Sequence, residues 1–120
     1  MFTILKKYGI EELRLSKAHN MPAKVIKHML KRRHLAPMHS FVVYIPSDED
    51  PLFIKNAPDI ITIGETHHPD IDTYNNILIV ASSCWQSITP FEEKVGNNPL
   101  PCKVPMLNLK TREIKILDFE

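Results

Sequence analysis

Pro-Asp-Ile-Ile-Thr-Ile-Gly-Glu-Thr-His-His, residues 58–68, is the most informative segment of this chain. Its apolar run, Ile60–Ile63, leads into a glycine and a polar cluster, and a second apolar run follows at Ile77–Ala81. Near-continuous apolar runs of this length are typical of strands that are covered on both faces. The first run therefore predicts a strand that delivers the potential metal ligands Glu65 and His67 to the end of a sheet.

An amphipathic helix is predicted upstream of these strands. Asn20 is the predicted N-cap, and Pro22 lies in the first turn, where proline is tolerated. Apolar side chains recur at helical spacing over residues 25–30, and Pro37 lies just beyond the predicted end. One clear helix is therefore expected before the sheet.

The C-terminal residues predict a β-hairpin. Met106–Leu109 and Glu113–Phe119 have the residue types of two strands, and the polar residues 110–112 form the turn between them. The elements together predict a sheet-dominated α/β or α+β fold. At 120 residues the chain has the length of a single domain, residues 1–120.

Composition gives no support to several function classes. The formal net charge of +1 gives no argument for nucleic-acid binding, and no apolar run approaches the roughly 20 residues that a transmembrane helix needs. Cys84 and Cys102 lack the spacing of a metal-binding pair and suit a reducing compartment, so no disulfide is expected. These features favour a cytoplasmic protein without a membrane partner.

Several blocks of residues share their order and spacing with one known family. They are residues 29–37 (Met-Leu-Lys-Arg-Arg-His-Leu-Ala-Pro), 58–60, Gly64, His67, Ser83, 85–87 (Trp-Gln-Ser), Thr89, Phe91, Gly96, Pro99, Pro101, 104–105 and Leu109. From about residue 22 to residue 120, the chain resembles the C-terminal part of the small subunit of archaeal family D DNA polymerase.

The resemblance implies a fold and an activity. It implies a partial calcineurin-like metallophosphoesterase sandwich, related to the B subunits of eukaryotic replicative polymerases. In that family the small subunit is a 3′→5′ exonuclease that proofreads for the polymerase large subunit. Its two divalent ions, usually of the Mn²⁺ type, activate a water and clamp the phosphate. The implied partners are the large subunit and, through the complex, DNA.

The metal ligands of that family are mostly missing from this chain. Its Asp-x-His, Gly-Asp-x-x-Asp and Gly-Asn-His-Asp motifs do not occur, and its final Gly-His-x-His motif reads Gly-Glu-Thr-His at residues 64–67. His67 is the one metal ligand carried over. Glu65 is either a carboxylate ligand for Mn²⁺ or Mg²⁺ or a polar residue at a strand end.

This ligand count predicts an accessory or scaffold piece of the polymerase that is catalytically incomplete on its own. Mn²⁺ or Mg²⁺ is expected as a cofactor only if the site is completed. The alternative is half of a split Mn-dependent exonuclease, completed in trans by a separate chain that carries the upstream metal motifs. Whether the chain is part of an enzyme stays open at this point.

Three further residues are assigned a supporting role beside Gly64. His34 is interpreted as a structural histidine that bonds a loop carbonyl, with a catalytic base as the alternative. Trp85 either caps the core or stacks on a base. Gln86 bonds either a phosphate or its own loop.

Two charged groups complete the candidates. The predicted helix carries five cations, which form either a phosphate track or a solvated face: Lys24, Lys27, Lys31, Arg32 and Arg33. His68, Asp70 and Asp72 follow His67 and form either a metal cluster or a solvated loop with turn chemistry at Pro69-Asp70.

Overall fold

Two helices and five strands follow one another in the described residues, 21–36, 43–64 and 66–120 of a computed structural model. They are α1 (Pro22–Arg32), β1 (Ile60–Ile63), β2 (Asp70–Tyr74), β3 (Ile77–Ala81), α2 (Pro90–Val95), β4 (Lys103–Leu107) and β5 (Ile114–Asp118). The predicted mixed α/β fold, dominated by its sheets and ending in an antiparallel hairpin, is confirmed.

β1, β2 and β3 form one sheet in the order β1-β3-β2. β1 runs parallel to β3, with Ile60 opposite Leu78 and Ile63 opposite Ala81, and β2 runs antiparallel to β3. β3 is buried along its whole length, as predicted. β1 is only half-buried, so the prediction that it is covered on both faces is wrong. Among the described strands it lies at one edge of this sheet.

β2 replaces the solvated loop expected at Asp70–Asp72. A two-residue turn at Asn75 and Asn76, both with positive φ (45° and 65°), joins β2 to β3. Asparagine tolerates this conformation well, and such turns suit tight hairpins. The aspartates are compatible with a strand because α1 provides their partners: Asp70 accepts the Ala23 N–H (3.0 Å) and Asp72 pairs with Lys27 (2.5 Å).

α1 packs on the sheet through its apolar face. Its buried residues are Pro22, Ala23, Val25, Ile26, Met29 and Leu30. The N-cap position is held by Met21, whose side chain makes no capping hydrogen bond, so Asp70 provides the cap from β2. The predicted cap, Asn20, lies outside the described residues. The helix ends at Arg33, which adopts the left-handed conformation at φ 51°.

The buried core of the described residues lies between α1 and β3. Ile79 on β3 is fully buried, and Ile61 and Ile63 of β1 pack partly buried against the same cluster. Neither strand of the C-terminal hairpin contributes a buried residue. No described helix is long and apolar enough to span a membrane.

α2 was not predicted, although its start carries a recognisable signal. Thr89 and Glu92 form a reciprocal capping box, and Gly96 ends the helix in the left-handed conformation at φ 72°. The hairpin follows, with Lys103 opposite Asp118 and Leu107 opposite Ile114. β4 starts and ends earlier than predicted because the Asn108 side chain accepts hydrogen bonds from the backbone N–H groups of Lys110 and Thr111 and so begins the turn.

Candidate functional site

The loop after β1 begins where two backbone segments approach closely. A Cβ atom on Gly64 would lie 3.2 Å from Ser82 Oγ. Ser82 is held in place because its N–H and its hydroxyl both donate to the Ile63 carbonyl (2.8 and 3.2 Å). Gly64 therefore lets the loop turn away from the end of β3. The next residue, Glu65, lies outside the described residues.

His67 is held at both its backbone and its side chain. Its φ of 56° is uncommon for a residue other than glycine, and its carbonyl accepts the Leu100 N–H at 3.0 Å. Its ring Nδ1 lies 2.7 Å from Glu92 Oε1, and the side chain remains 33% exposed. The imidazole is therefore fixed at one nitrogen and partly open to solvent.

Glu92 lies at the third position of α2 and is nearly buried. Asn97 Nδ2 also donates to Oε1 (3.2 Å), while Thr89 donates to Oε2 from its N–H (3.0 Å) and its hydroxyl (2.8 Å). The hydrogen bonds from His67 and then Thr89 lower the pKa of Glu92 from its usual 4.5 to about 2. Glu92 is therefore an ionised carboxylate that only accepts hydrogen bonds.

The pairing leaves His67 Nε2 as the nitrogen that can bind something else. Metal-binding histidines usually donate their other ring N–H to a carboxylate or carbonyl, as His67 donates to Glu92. Beside it, the buried Thr66 Oγ1 and His68 Nδ1 have no hydrogen-bond partner among the described residues. The loop after β1 therefore contains polar atoms that could still form hydrogen bonds.

A two-ion centre is nevertheless more than the described residues provide. Within 21–36, 43–64 and 66–120, no group of three His, Cys, Asp or Glu side chains could hold a metal ion. His67 and its carboxylate partner match one ligand of such a centre and no more. The described residues alone therefore do not fit the two divalent ions that the resemblance implies.

His34 has no free ring nitrogen in this structure. Its Nδ1 accepts the Ala36 N–H (3.0 Å), and its Nε2 lies 2.7 Å from Asp50 Oδ2. The hydrogen bond from His34 is the main reason why the pKa of Asp50 is lowered. His34 therefore ties the residues after α1 to the loop around Asp50, with a carboxylate and an N–H as partners instead of the expected carbonyl.

The other two supporting residues lie at the surface. Trp85 is 71% exposed, and its ring centroid lies 6.0 Å from that of Phe119, so it covers the C-terminal residues and not the core. Gln86 is exposed, and its carbonyl accepts a hydrogen bond from the free thiol of Cys84. Cys102, which also has a free thiol, donates its N–H to the Cys84 carbonyl at 2.8 Å.

The five cations of α1 and its C-terminus divide into two groups. Lys27 pairs with Asp72. The Arg33 guanidinium lies over the Phe53 ring and donates to the carbonyls of Ile54 and Lys55. These two side chains stabilise the fold. The other three, Lys24, Lys31 and Arg32, are exposed and remain available to a phosphate.

Most of this chain is similar to archaeal DNA polymerase II small subunits. It is 38% identical over 103 residues to that of Pyrococcus furiosus, which covers 84% of this chain and 17% of the relative. This chain is a homologue of the C-terminal region of these subunits. The relatives from Archaeoglobus fulgidus and Thermoplasma acidophilum are 39% identical over 88 residues and 36% identical over 98 residues.

The similarity covers most of this chain but little of each relative. The matches extend over 72% and 81% of this chain for the latter two proteins, and over 18% and 20% of the relatives themselves. The chain thus spans about a fifth of the length of the curated relatives it matches. No protein-family model matches it. The resemblance stated from the sequence blocks is confirmed.

Proposed function

We propose that this chain acts in DNA replication as an accessory or scaffold piece of a family D DNA polymerase small subunit and is catalytically incomplete on its own. The similarity to archaeal DNA polymerase II small subunits is the observation that carries the proposal. The ligand count supports its second part, because the described residues offer one imidazole ligand in place of a two-ion set.

The proposed partner is the polymerase large subunit, with DNA reached through the complex and the cytoplasm as the location. The exposed apolar side chains of the hairpin region, among them Trp85, Leu109 and Phe119, are surfaces that a protein partner would cover. Lys24, Lys31 and Arg32 are the cations open to a phosphate.

Binding to the large subunit tests the proposed role. The purified chain is mixed with the large subunit of the same organism and analysed by size-exclusion chromatography with light scattering. We expect a complex that persists at moderate salt, and co-migration lost at every concentration would contradict the role. Glu49→Gln, a change in an exposed residue of the 47–50 loop, is the matched control and is expected to bind like the wild type.

Catalytic incompleteness has its own test. The chain is incubated with Mn²⁺ and single-stranded DNA carrying a label at its 5′ end, and the products are separated by length. We expect intact DNA. Stepwise shortening by the wild-type chain that His67→Ala abolishes would contradict the proposal, whereas shortening that survives in His67→Ala would indicate a contaminating nuclease.

A split nuclease is the second candidate function, and the pairing of His67 with Glu92 favours it. A histidine that donates one ring N–H to a buried carboxylate and keeps the other nitrogen open has the arrangement of a metal ligand. In this candidate, His67 and Glu65 would join ligands supplied by a separate chain that carries the upstream motifs.

Calorimetry separates the two candidates. Mn²⁺ is titrated into the chain alone, into a chain carrying the upstream motifs of the relatives, and into their mixture. Binding that occurs only in the mixture and is lost with His67→Ala would establish a split site. No binding in any sample would leave the scaffold role.

A further inference from the structure

We infer that Glu92 is a positioning residue that fixes His67 in the tautomer with its proton on Nδ1 and so keeps the Nε2 lone pair available to a divalent cation, an inference whose cation part rests on the split-nuclease candidate. Glu92 belongs to α2 and lies 25 residues away from His67. The resemblance includes Thr89, Phe91 and Gly96 around it but not Glu92 itself. Its role follows from which groups in this network can donate a proton and which can only accept one.

The proton shared by His67 and Glu92 belongs to Nδ1 of His67. Each carboxylate oxygen of Glu92 already accepts another hydrogen bond, Oε1 from Asn97 Nδ2 and Oε2 from the Thr89 N–H, and the Thr89 N–H can only donate. The ionised carboxylate has no proton to give. Because Nδ1 of His67 lies 2.7 Å from Oε1, the ring must donate from Nδ1, and its neutral form then carries the lone pair on Nε2.

The geometry around this pair is rigid at both ends. The Glu92 side chain is tied to the first turn of α2, since Thr89 donates to Oε2 from its backbone and its hydroxyl, and the Glu92 N–H donates back to that hydroxyl. The His67 backbone is tied to Leu100. The direction of Nε2 is therefore set by the fold before any ligand arrives, which is what a positioned ligand requires.

His34 provides an internal comparison with the opposite arrangement. Its Nδ1 accepts the Ala36 N–H, so its neutral ring must carry the proton on Nε2, which faces Asp50. Both histidines pair with a carboxylate at 2.7 Å. Only His67 keeps a ring nitrogen free, so pairing with a carboxylate alone does not distinguish the two, whereas the tautomer does.

Glu92→Gln is the decisive variant because its amide has one oxygen and one nitrogen. The Thr89 N–H cannot reverse its polarity, so the amide oxygen must face Thr89 and keep the capping hydrogen bonds. The amide nitrogen then faces His67 and Asn97, and both of these can reverse, Asn97 by turning its amide and His67 by moving its proton to Nε2. We therefore expect the variant to fold and to invert the tautomer of His67.

¹⁵N NMR of the whole chain with labelled histidine shows directly which ring nitrogen carries the proton. The spectra are recorded at a pH where the imidazoles are neutral. His67→Ala and His34→Ala assign the signals. We expect a protonated Nδ1 for His67 in the wild type and a protonated Nε2 in Glu92→Gln, with His34 showing a protonated Nε2 in both. Thr89→Ala is the matched control: it breaks the cap of α2 but leaves Oε1 facing His67, so the wild-type tautomer should persist.

Two results would overturn the positioning role: a wild-type His67 that carries its proton on Nε2, or a Glu92→Gln variant that keeps the proton on Nδ1. A separate arm adds MnCl₂ to the chain together with the chain carrying the upstream motifs and follows paramagnetic broadening of the His67 signals. We expect Glu92→Gln to weaken that binding by about 10- to 100-fold. The expected tautomer without any broadening would contradict the split-nuclease candidate and leave the positioning role standing.

Discussion

Among single residues, Glu92 has the largest electrostatic consequence in the described chain. Its pKa of about 2 lies below its usual 4.5 because its charged form accepts hydrogen bonds from His67 and Thr89. A carboxyl whose pKa is lower in the folded state stabilises the fold above the unfolded pKa and loses that contribution as the pH falls through the folded value. The contribution of Glu92 is therefore complete above about pH 4.5 and disappears towards pH 2.

This pH dependence is measurable by urea unfolding of the wild type and Glu92→Gln. We expect the wild type to be more stable at neutral pH, and the difference in the free energy of unfolding to shrink below pH 4.5. Asp48→Asn, a change in an exposed aspartate, is the control and should show no such difference. A gap between wild type and Glu92→Gln that stays constant down to the acid transition would contradict the assignment of the charged network to Glu92.

Gly64 is the second residue with a defined steric consequence. Because a Cβ there would lie 3.2 Å from Ser82 Oγ and displace the hydroxyl that donates to the Ile63 carbonyl, Gly64→Ala should destabilise the chain by about 1 kcal/mol, the usual net contribution of one hydrogen bond. In a Ser82→Ala background the clash is gone, and the same change should cost much less. Thermal or urea unfolding of the four variants measures this coupling. Equal costs in both backgrounds would contradict the close approach.

The sequence could identify His67 but not its partner. His67 belongs to a motif of adjacent residues, whereas Glu92 reaches it from 25 positions away, through a fold that a motif does not encode. The Thr-Pro-Phe-Glu run of residues 89–92 does carry the pattern of a capping box, which predicts where α2 begins. It does not predict that the same carboxylate also binds a histidine of another loop.

At the scale of elements, α1 and β2 depend on each other. Asp70 of β2 accepts the Ala23 N–H and supplies the cap that Met21 does not provide. Asp70→Ala should therefore destabilise the chain by about 0.5–2 kcal/mol, the usual cost of losing an N-cap. Asp70→Asn keeps an acceptor oxygen and should cost clearly less. Urea unfolding distinguishes them, and equal losses for both variants would show that the charge matters and the hydrogen bond does not.

The mutual dependence of α1 and β2 explains which elements could be predicted from the sequence. β3 and α1 can be predicted from the sequence because their burial follows from their own apolar patterns, Ile77–Ala81 and residues 25–30. The polar pattern of residues 70–74 predicts a loop, and its aspartates become compatible with a sheet only because α1 lies across them. A local pattern reflects only the residues of its own element. β2 could not be predicted from its pattern because the groups that pair with its aspartates belong to α1.

At the scale of the whole molecule, the hairpin β4–β5 is attached differently from the rest. It contributes no buried residue to the described core, and several hydrogen bonds join it and its flanking residues to the remaining chain, beside the ring contact of Trp85 with Phe119. Among these, Arg112 Nη2 donates to the carbonyls of Asn76 (2.8 Å) and Asp59 (3.2 Å), and the Cys102 N–H donates to Cys84. An isolated hairpin is only marginally stable in water.

We therefore expect the amide protons of β4 and β5 to exchange with solvent faster than those of β3. Native-state hydrogen exchange followed by NMR measures this difference. Arg112→Ala should speed exchange in the hairpin further and leave β3 unchanged. Protection in β4 and β5 that equals that of β3, and that Arg112→Ala does not alter, would contradict the separate attachment.

The contact between Trp85 and Phe119 places an intrinsic fluorophore beside the C-terminal hairpin. Trp85 is the single tryptophan of the chain, and its largely exposed ring lies against that of Phe119, which follows β5. Its fluorescence will therefore report whether the C-terminal residues are docked, while circular dichroism reports the helix and the sheet. Unfolding followed by fluorescence alone would therefore record the release of the C-terminal residues, which could be mistaken for unfolding of the core between α1 and β3.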